Sequence, residues 1–398
     1  MPSLSAMNLG RAPHRMLFFL GGLNLLLAMA WWALWLASAR WNVIPLPQPD
    51  PYAGRLHAFL MQYQVLPSFF FGFLLTVFPR WTGEPDLARR TAWPVAAGLL
   101  GGQLFTLGGA LGWHSGAILG AVAALAGWIA GLVPLGGIVF RDAGKTWHAI
   151  GCFAALCMGA VGLALWLAYL LLAQEALADA SIMLGTFGLL IPVYFTVVHR
   201  MVPFFAASAL PGYEPWRPKW ILAAGWALMA LHIVLPPAWS WLADLPLFLL
   251  SLAMLLRWLP RRKMPPLLFV LFAGLTWLPL AFALYALQSL VLAFGGEAIL
   301  GKAPAHALFV GFFGSILVAM VTRVTQGHSG RALILPPIAV YAIVAVQITC
   351  IVRIGAELAQ DWLAWQAVAA FGWLLAFLPW VLWAARIYLL PRADGKAG

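Results

Sequence analysis

The sequence carries very little charge. Asp, Glu, Lys and Arg make up only 9% of its 398 residues, and Asp and Glu together number 12. Soluble globular proteins carry roughly 25% charged residues, so this composition excludes a soluble globular fold. Hydrophobic side chains make up 64% of the chain. We therefore expect the lipid bilayer to be the principal environment of the protein.

Cysteine is also scarce, and familiar catalytic motifs are absent from the sequence. Cys152, Cys157 and Cys350 lie inside apolar runs, which argues against a disulfide framework and against a CxxC redox or zinc motif. No P-loop, GxGxxG, HExxH or GxSxG occurs in a workable context. The net charge is +11, but no basic stripe with interleaved aromatics accompanies it. We therefore expect no nucleic-acid partner.

Long apolar runs are what the sequence has instead, and they predict twelve transmembrane helices. The runs are continuous rather than alternating, which favours helices over transmembrane strands. The connections are short, so we expect residues 1–398 to form a single all-α, multi-pass membrane domain. The predicted spans are 15–38, 58–78, 91–111, 115–139, 147–173, 181–205, 219–236, 240–259, 266–292, 304–325, 333–354 and 363–389.

The first apolar run is interpreted as a span and not as a secretory signal. Arg11 and Arg15 precede it, and Ala37-Ser38-Ala39 resembles a signal-peptidase site. The hydrophobic part of a signal peptide covers only about 7–15 residues, whereas Met16 to Ala39 has the length of a full transmembrane helix. We therefore keep this segment in the fold.

The distribution of Lys and Arg predicts the orientation of the helices. Of the 23 Lys and Arg, 19 lie at the termini and in the loops on one side of the predicted helices, and four lie on the other side. The positive-inside rule expects this asymmetry for an even number of spans with both termini in the cytoplasm. The bacterial inner membrane is the expected location.

Predicted helices 2, 6 and 10 run in the same direction and end in similar residues. Their arginines are Arg80, Arg200 and Arg323, which lie 120 and 123 residues apart. This period favours three four-helix repeats over two six-helix halves. Cytoplasmic helix ends carry Arg in many proteins, so a repeat is one of two interpretations.

Histidines near the outer face predict a haem site. Nearly all acidic residues lie in loops or at helix ends, which leaves His, Met and Tyr as the candidate coordinating groups inside the spans. His57 and His306 begin two parallel helices at matched depth, so we expect them to hold one haem between them. Met61 lies one helical turn below His57 and is an alternative second ligand.

Histidines near the cytoplasmic face predict a second site, for a metal or for another haem. His199 ends helix 6, His328 follows helix 10 and His148 begins helix 5. Arg200, Arg323 and Arg331 lie close to these histidines in sequence and can neutralise haem propionates, although positive-inside anchoring explains them equally well. We interpret His14, His114 and His232 as interfacial side chains without a ligand role.

Three segments resemble the NnrS family of haem- and copper-containing membrane proteins. The first runs from His57 to Gly83 and ends in GFLLTVFPRWTG, the second is HRMVPFF at residues 199–205, and the third runs from His306 to Arg331 and ends in TRVTQGHSGR. The first differs from the family pattern His-x-His-Glu-Met, because Phe59 and Leu60 stand in place of the second His and the Glu. Ligands that those two residues supply in the family are missing here.

The resemblance implies a function in nitric oxide tolerance, with haem b and copper as cofactors. It implies nitric oxide or a metal-nitrosyl species as the partner and leaves open whether the protein is an enzyme. The main alternative is a twelve-helix secondary transporter of a small or metal-complexed solute, against which stand the threefold period and the lack of carboxylates inside the spans. The third interpretation is a membrane assembly factor or a redox-partner subunit without its own cofactor.

Overall fold

The computed structural model describes residues 4–395, and this part of the chain is helical without any strand. Twelve helices of 16 residues or more account for most of it, joined by short loops and 3-10 turns such as Ala6–Arg11. They are α1 (Pro13–Trp41), α2 (Ala53–Thr82), α3 (Ala92–Ala110), α4 (Gly116–Asp142), α5 (Trp147–Leu172), α6 (Glu175–Ala209), α7 (Lys219–Val234), α8 (Trp241–Trp258), α9 (Pro266–Ala293), α10 (Ala303–His328), α11 (Pro337–Leu358) and α12 (Trp362–Leu389).

Each predicted span overlaps one of these helices. Among the described residues, ten helices are long and apolar enough to cross a membrane. The other two are α3, which is rich in glycine, and α7, which is apolar but has only 16 residues. The chain is thus confirmed as an α-helical protein with multiple membrane-spanning helices.

The contacts within the chain divide it into two compact units. The first contains the chain up to Val193, residues 328–330 and the segment from Val381 onward. The second contains residues 194–327 and 331–380. Whether residues 1–398 behave as one domain stays a prediction.

Glycines bring α3 and α4 into close contact in the first unit. A Cβ added at Gly98 would lie 2.6 Å from the Gly127 nitrogen and 2.7 Å from the Ala123 oxygen. Small residues allow helix backbones to approach closely where lipid offers no hydrophobic driving force. This contact places the face of α3 that carries Gln103 and Thr106 inside the first unit, where both side chains are fully buried.

Side-chain hydrogen bonds join three helices in the second unit. Trp277 Nε1 of α9 donates to Gln347 Oε1 of α11 at 2.5 Å, and Gln347 Nε2 donates to Ser315 Oγ of α10 at 2.7 Å. The Gln347 amide therefore has both of its polar atoms in hydrogen bonds. Polar residues between membrane helices commonly stabilise their packing in this way.

Three of the helices contain a π-helical segment. The segments are Met61–Val65 in α2, Leu184–Leu190 in α6 and Ala307–Gly314 in α10. Their first residues are each 123 residues apart along the chain. The π-helix is rare and is found mostly as a short interruption of an α-helix at functional sites. These are also the three helices that carry the similar arginines Arg80, Arg200 and Arg323.

Candidate functional site

Two histidines meet at the start of α1 and the end of α10. The ring centroids of His14 and His328 lie 4.4 Å apart, and their planes are inclined by 50°. Both residues belong to the first unit. His14 is buried, whereas His328 is half-buried. No ligand role is predicted for His14 from the sequence, and its proximity to His328 is visible only in the structure.

Thr76 of α2 fixes the tautomer of His14. The Thr76 hydroxyl donates to the Gly72 carbonyl oxygen at 2.8 Å, so its oxygen acts as the acceptor for the next contact. His14 Nδ1 lies 3.4 Å from that oxygen and therefore donates its proton to it. In the neutral ring the lone pair then lies on Nε2. Metal-binding histidines are held by this kind of hydrogen bond from the other ring nitrogen.

The C-terminal segment holds His328 in place. Arg392 Nη1 donates to the His328 carbonyl oxygen at 2.9 Å, and the Ala393 nitrogen donates to the Ser329 oxygen at 2.9 Å. Hydrogen bonding to Asp394 raises the pKa of Arg392 above its ordinary value, so the guanidinium remains charged. The turn after α10 is thereby fixed by a charged side chain and by the backbone.

Arg15 adds a buried positive charge next to His14. Its Nη1 atom contacts three backbone carbonyl oxygens, those of Asn8 at 3.3 Å, Tyr388 at 3.4 Å and Leu390 at 3.0 Å. A buried guanidinium requires such acceptors, because the cost of removing the charge from water must be offset. The start of α1 is therefore attached to the C-terminal end of α12 within the first unit.

The other two histidines of the predicted cytoplasmic site, His148 and His199, belong to different units. His148 is buried at the start of α5 in the first unit, with its ring edge-on to Trp81 at a centroid distance of 6.4 Å. His199 is fully buried in the second unit, edge-on to Trp258 at 6.0 Å. The predicted grouping of His148, His199 and His328 joins residues of both units and stays a prediction.

His57 lies among tryptophans near the start of α2. Its ring stacks on that of Trp32, with centroids 4.5 Å apart and planes inclined by 8°. Trp32 in turn stacks on Trp35 at 5.4 Å. Met61 is buried and begins the π-helical segment of α2. The aromatic stack orients the imidazole and shields one of its faces.

His306 has the same tautomer as His14. Its Nδ1 atom lies 2.9 Å from the Lys302 carbonyl oxygen, which can only accept, so Nδ1 donates and the lone pair lies on Nε2. His306 belongs to the second unit and His57 to the first. The predicted haem ligation by both residues therefore stays a prediction.

The predicted propionate-binding arginines differ in their surroundings. The Arg323 guanidinium lies 4.1 Å from the centroid of the Phe205 ring, within the range of a cation–π contact. Arg331 Nη1 is buried and has no hydrogen-bond partner among residues 4–395. Arg200 is half-buried near the end of α6. Because Arg331 Nη1 has protons to donate and no acceptor among these residues, Arg331 fits an anionic ligand such as a propionate better than the other two arginines.

The structure also shows a buried acid in the first turn of α8. His232 Nδ1 of α7 lies 2.6 Å from Asp244 Oδ1 of α8, and both side chains are buried. The Tyr285 ring lies edge-on to His232 at 5.6 Å. The short connection between α7 and α8 makes residues at similar distances from it face each other, and this was the signal available in the sequence.

A metal ion needs several ligands that lie close together. Among residues 4–395, no three or more His, Cys, Asp and Glu side chains are grouped so that they could hold a metal ion. A metal bound by His14 and His328 would therefore need further ligands of another kind. The Nε2 lone pairs of His14 and His306 and the unmet donor of Arg331 fit haem or copper chemistry.

The fold and these residues define a multi-pass α-helical membrane protein with buried histidines in both units. Comparison with known protein families identifies the family of this protein. The family described as NnrS protein matches residues 8–392, nearly the whole chain, and the chain belongs to that family. The resemblance seen in three segments of the sequence is thereby confirmed. A search among curated proteins found no match.

Proposed function

We propose that this protein is a haem-binding protein of the bacterial inner membrane that acts in the response to nitric oxide and nitrosative stress. The observation that carries the proposal is the match to the NnrS family over residues 8–392, together with the family resemblance of the three histidine-containing segments. The abundance of membrane-spanning helices supports the location.

His57 and His306 are the residues that we propose as haem ligands, with Met61 as the alternative partner of His57. Two features support this assignment. The Lys302 carbonyl oxygen accepts from His306 Nδ1, which places the lone pair of that ring on Nε2, and Trp32 restrains the His57 ring. Bound haem would supply an iron atom at which nitric oxide binds. Arg331 is the proposed propionate partner, because its Nη1 donor is unmet.

His14 and His328 are the residues that we propose for a second metal, with copper as the candidate. Imidazoles on opposite sides of one iron would need centroids about 6 Å apart, because each metal–nitrogen bond is about 2 Å long and each centroid lies about 1 Å further. The observed separation is 4.4 Å. This spacing suits two neighbouring ligands of one metal ion rather than two axial ligands of a haem.

We further propose twelve membrane crossings, with both termini in the cytoplasm, built from three four-helix repeats. The support is the 123-residue spacing of the three π-helical segments and the excess of Lys and Arg on one side of the helices. In this arrangement α3 crosses the membrane through its contact with α4 despite its high glycine content, because neighbouring helices shield it from lipid.

A secondary transporter for a small or metal-complexed solute is the second candidate function. The fully buried polar side chains of Asn24, Gln64 and Gln103 in α1, α2 and α3 favour it, because polar groups inside membrane helices commonly mark solute or ion pathways. Flux into proteoliposomes by protein that carries no chromophore would support transport over the haem function.

The haem proposal is tested by the absorption spectrum of the protein. Protein expressed with ample haem and purified in detergent should show a Soret band, and reduction should produce the sharp visible bands of six-coordinate low-spin haem. Addition of nitric oxide should shift these bands. Colourless protein from such an expression would overturn the proposal. Total metal analysis of the same sample measures copper independently of haem.

A further inference from the structure

Three neutral amides lie buried together in the first unit. Asn24 of α1, Gln64 of α2 and Gln103 of α3 are each fully buried. Each lies eleven residues from the first residue of its helix, which is about 16 Å along the helix axis. In a hydrocarbon layer about 30 Å thick, this depth is near the centre of the membrane. Gln64 also belongs to the π-helical segment of α2.

Hydroxyl groups determine the orientation of two of these amides. Ser68 Oγ donates its proton to the Gln64 backbone oxygen at 2.7 Å, and Thr106 Oγ1 donates to the Gly102 oxygen at 2.7 Å. Both hydroxyl oxygens can then only accept. Asn24 Nδ2 lies 3.4 Å from Ser68 Oγ, and Gln64 Nε2 lies 3.1 Å from Thr106 Oγ1. Each amide must therefore present its NH2 group to the hydroxyl.

The third amide is oriented by a backbone carbonyl group. Gln103 Nε2 donates to the Asn24 backbone oxygen at 2.8 Å. A carbonyl oxygen cannot donate, so reversing this amide would place two acceptors against each other. The positions of the side-chain oxygens of Asn24, Gln64 and Gln103 are thus fixed by the chemistry of their neighbours.

The three side-chain oxygens have no partner. Asn24 Oδ1, Gln64 Oε1 and Gln103 Oε1 are buried and accept no hydrogen bond from any of residues 4–395. Buried polar atoms in folded proteins are rarely left in this state, because each has lost its bond to water. Three such acceptors in one hydrogen-bonded network indicate a missing electropositive partner.

We propose that these three oxygens bind an alkali-metal cation, Na⁺ or K⁺, in the core of the first unit. Neutral carbonyl oxygens are the ligands that these ions take in membrane proteins. A cation satisfies acceptors without introducing any of its own, whereas a water molecule brings two lone pairs that need donors. Both hydroxyl protons of the network are already used, and each NH2 group keeps one further N–H beyond its hydrogen bond. A cation satisfies the three oxygens without drawing on these donors. The site is independent of the haem function proposed above.

Binding and thermal stability test this site. Purified full-length protein in detergent should bind radioactive sodium or its potassium analogue, radioactive rubidium, at about one ion per chain. Its Tm should rise saturably by a few degrees when choline chloride is replaced by NaCl or KCl at constant ionic strength. The salt that gives the larger rise at lower concentration identifies the preferred ion.

Two variants and a control separate binding from folding. Gln103→Leu should lower ion affinity at least tenfold, and Asn24→Asp should raise it, because the new carboxylate adds charge and replaces only the longest hydrogen bond of the network. Gln288→Leu in α9 is the control, since Gln288 Oε1 is also buried and unpartnered but lies outside the first unit. It should leave ion binding unchanged.

Equal Tm values in NaCl, KCl and choline chloride, with no bound isotope in wild type or in Asn24→Asp, would overturn the proposal and assign the oxygens to buried water. Equal isotope binding by wild type and Gln103→Leu would also overturn it, because the ion would then lie elsewhere. The haem spectrum is measured on the same samples, so a failure of either proposal is distinguished from a failure of the other.

Discussion

The imidazole rings of His14 and His328 lie 4.4 Å apart, although one residue begins α1 and the other ends α10. Their contact is held by Thr76 on one side and by Arg392 of the C-terminal segment on the other. Two imidazoles in this relationship can share one metal ion. The pair therefore gives the second proposed metal site a defined location within one unit.

Substitution of either histidine should remove metal from this site. His14→Ala and His328→Ala should each lower copper affinity by at least about tenfold, since each removes one of the two imidazole ligands. Thr76→Val should cause a smaller loss through the tautomer of His14. Copper per protein is measured by elemental analysis after dialysis against a weak chelator. His114→Ala, at an exposed position, is the control. An unchanged copper content in both histidine variants would show that His14 and His328 are interfacial side chains and not metal ligands.

The outer histidines should control the haem spectrum. His57→Ala and His306→Ala should each abolish the low-spin bands while the protein remains inserted and folded, because a six-coordinate iron loses one axial ligand. Loss of the bands only in His57→Ala would assign the second ligand to Met61, which Met61→Leu then checks. Wild-type spectra in both histidine variants would refute the assignment.

Substitutions of the buried residues His232 and Asp244 should have non-additive effects on the free energy of unfolding. Truncation of one partner leaves the other buried without its hydrogen bond, so Asp244→Leu and His232→Leu should each cost about 1–3 kcal/mol. The double variant should cost less than the sum of the two, with a coupling of about 0.5–3 kcal/mol. Reversible unfolding in mixed detergent measures all four proteins. Strict additivity would show that the 2.6 Å contact contributes nothing.

Two glycines of the same helix should respond differently to substitution by alanine. Gly98→Ala should destabilise the protein by about 1–3 kcal/mol, because the new methyl group overlaps the Gly127 backbone. A Cβ at Gly101 meets nothing within 4 Å, so Gly101→Ala should be neutral or stabilising through its helix propensity. Thermal unfolding of the two variants tests this, and equal effects would contradict the observed contact.

Positions of helices were readable from the sequence, because a span of apolar residues is sufficient to define one. The contacts that polar side chains make are harder to predict from the sequence. His14 meets His328 only because Arg392 and the end of α12 close over the start of α1, and a contact at such a distance along the chain leaves no local pattern. Asn24, Gln64 and Gln103 are polar residues inside apolar runs, but nothing in their local sequence indicates that they share one hydrogen-bonded network.

The π-helical segment of α2 sets the angular phase of everything that follows it. Each hydrogen-bonded turn of a π-helix contains one residue more than a turn of an α-helix. If all five residues of Met61–Val65 wound as regular α-helix, the rest of α2 would be rotated by about 100° relative to His57. Thr76 would then leave the His14 side of its helix. The winding of a five-residue segment thereby decides which direction the side chains at the other end of the helix face.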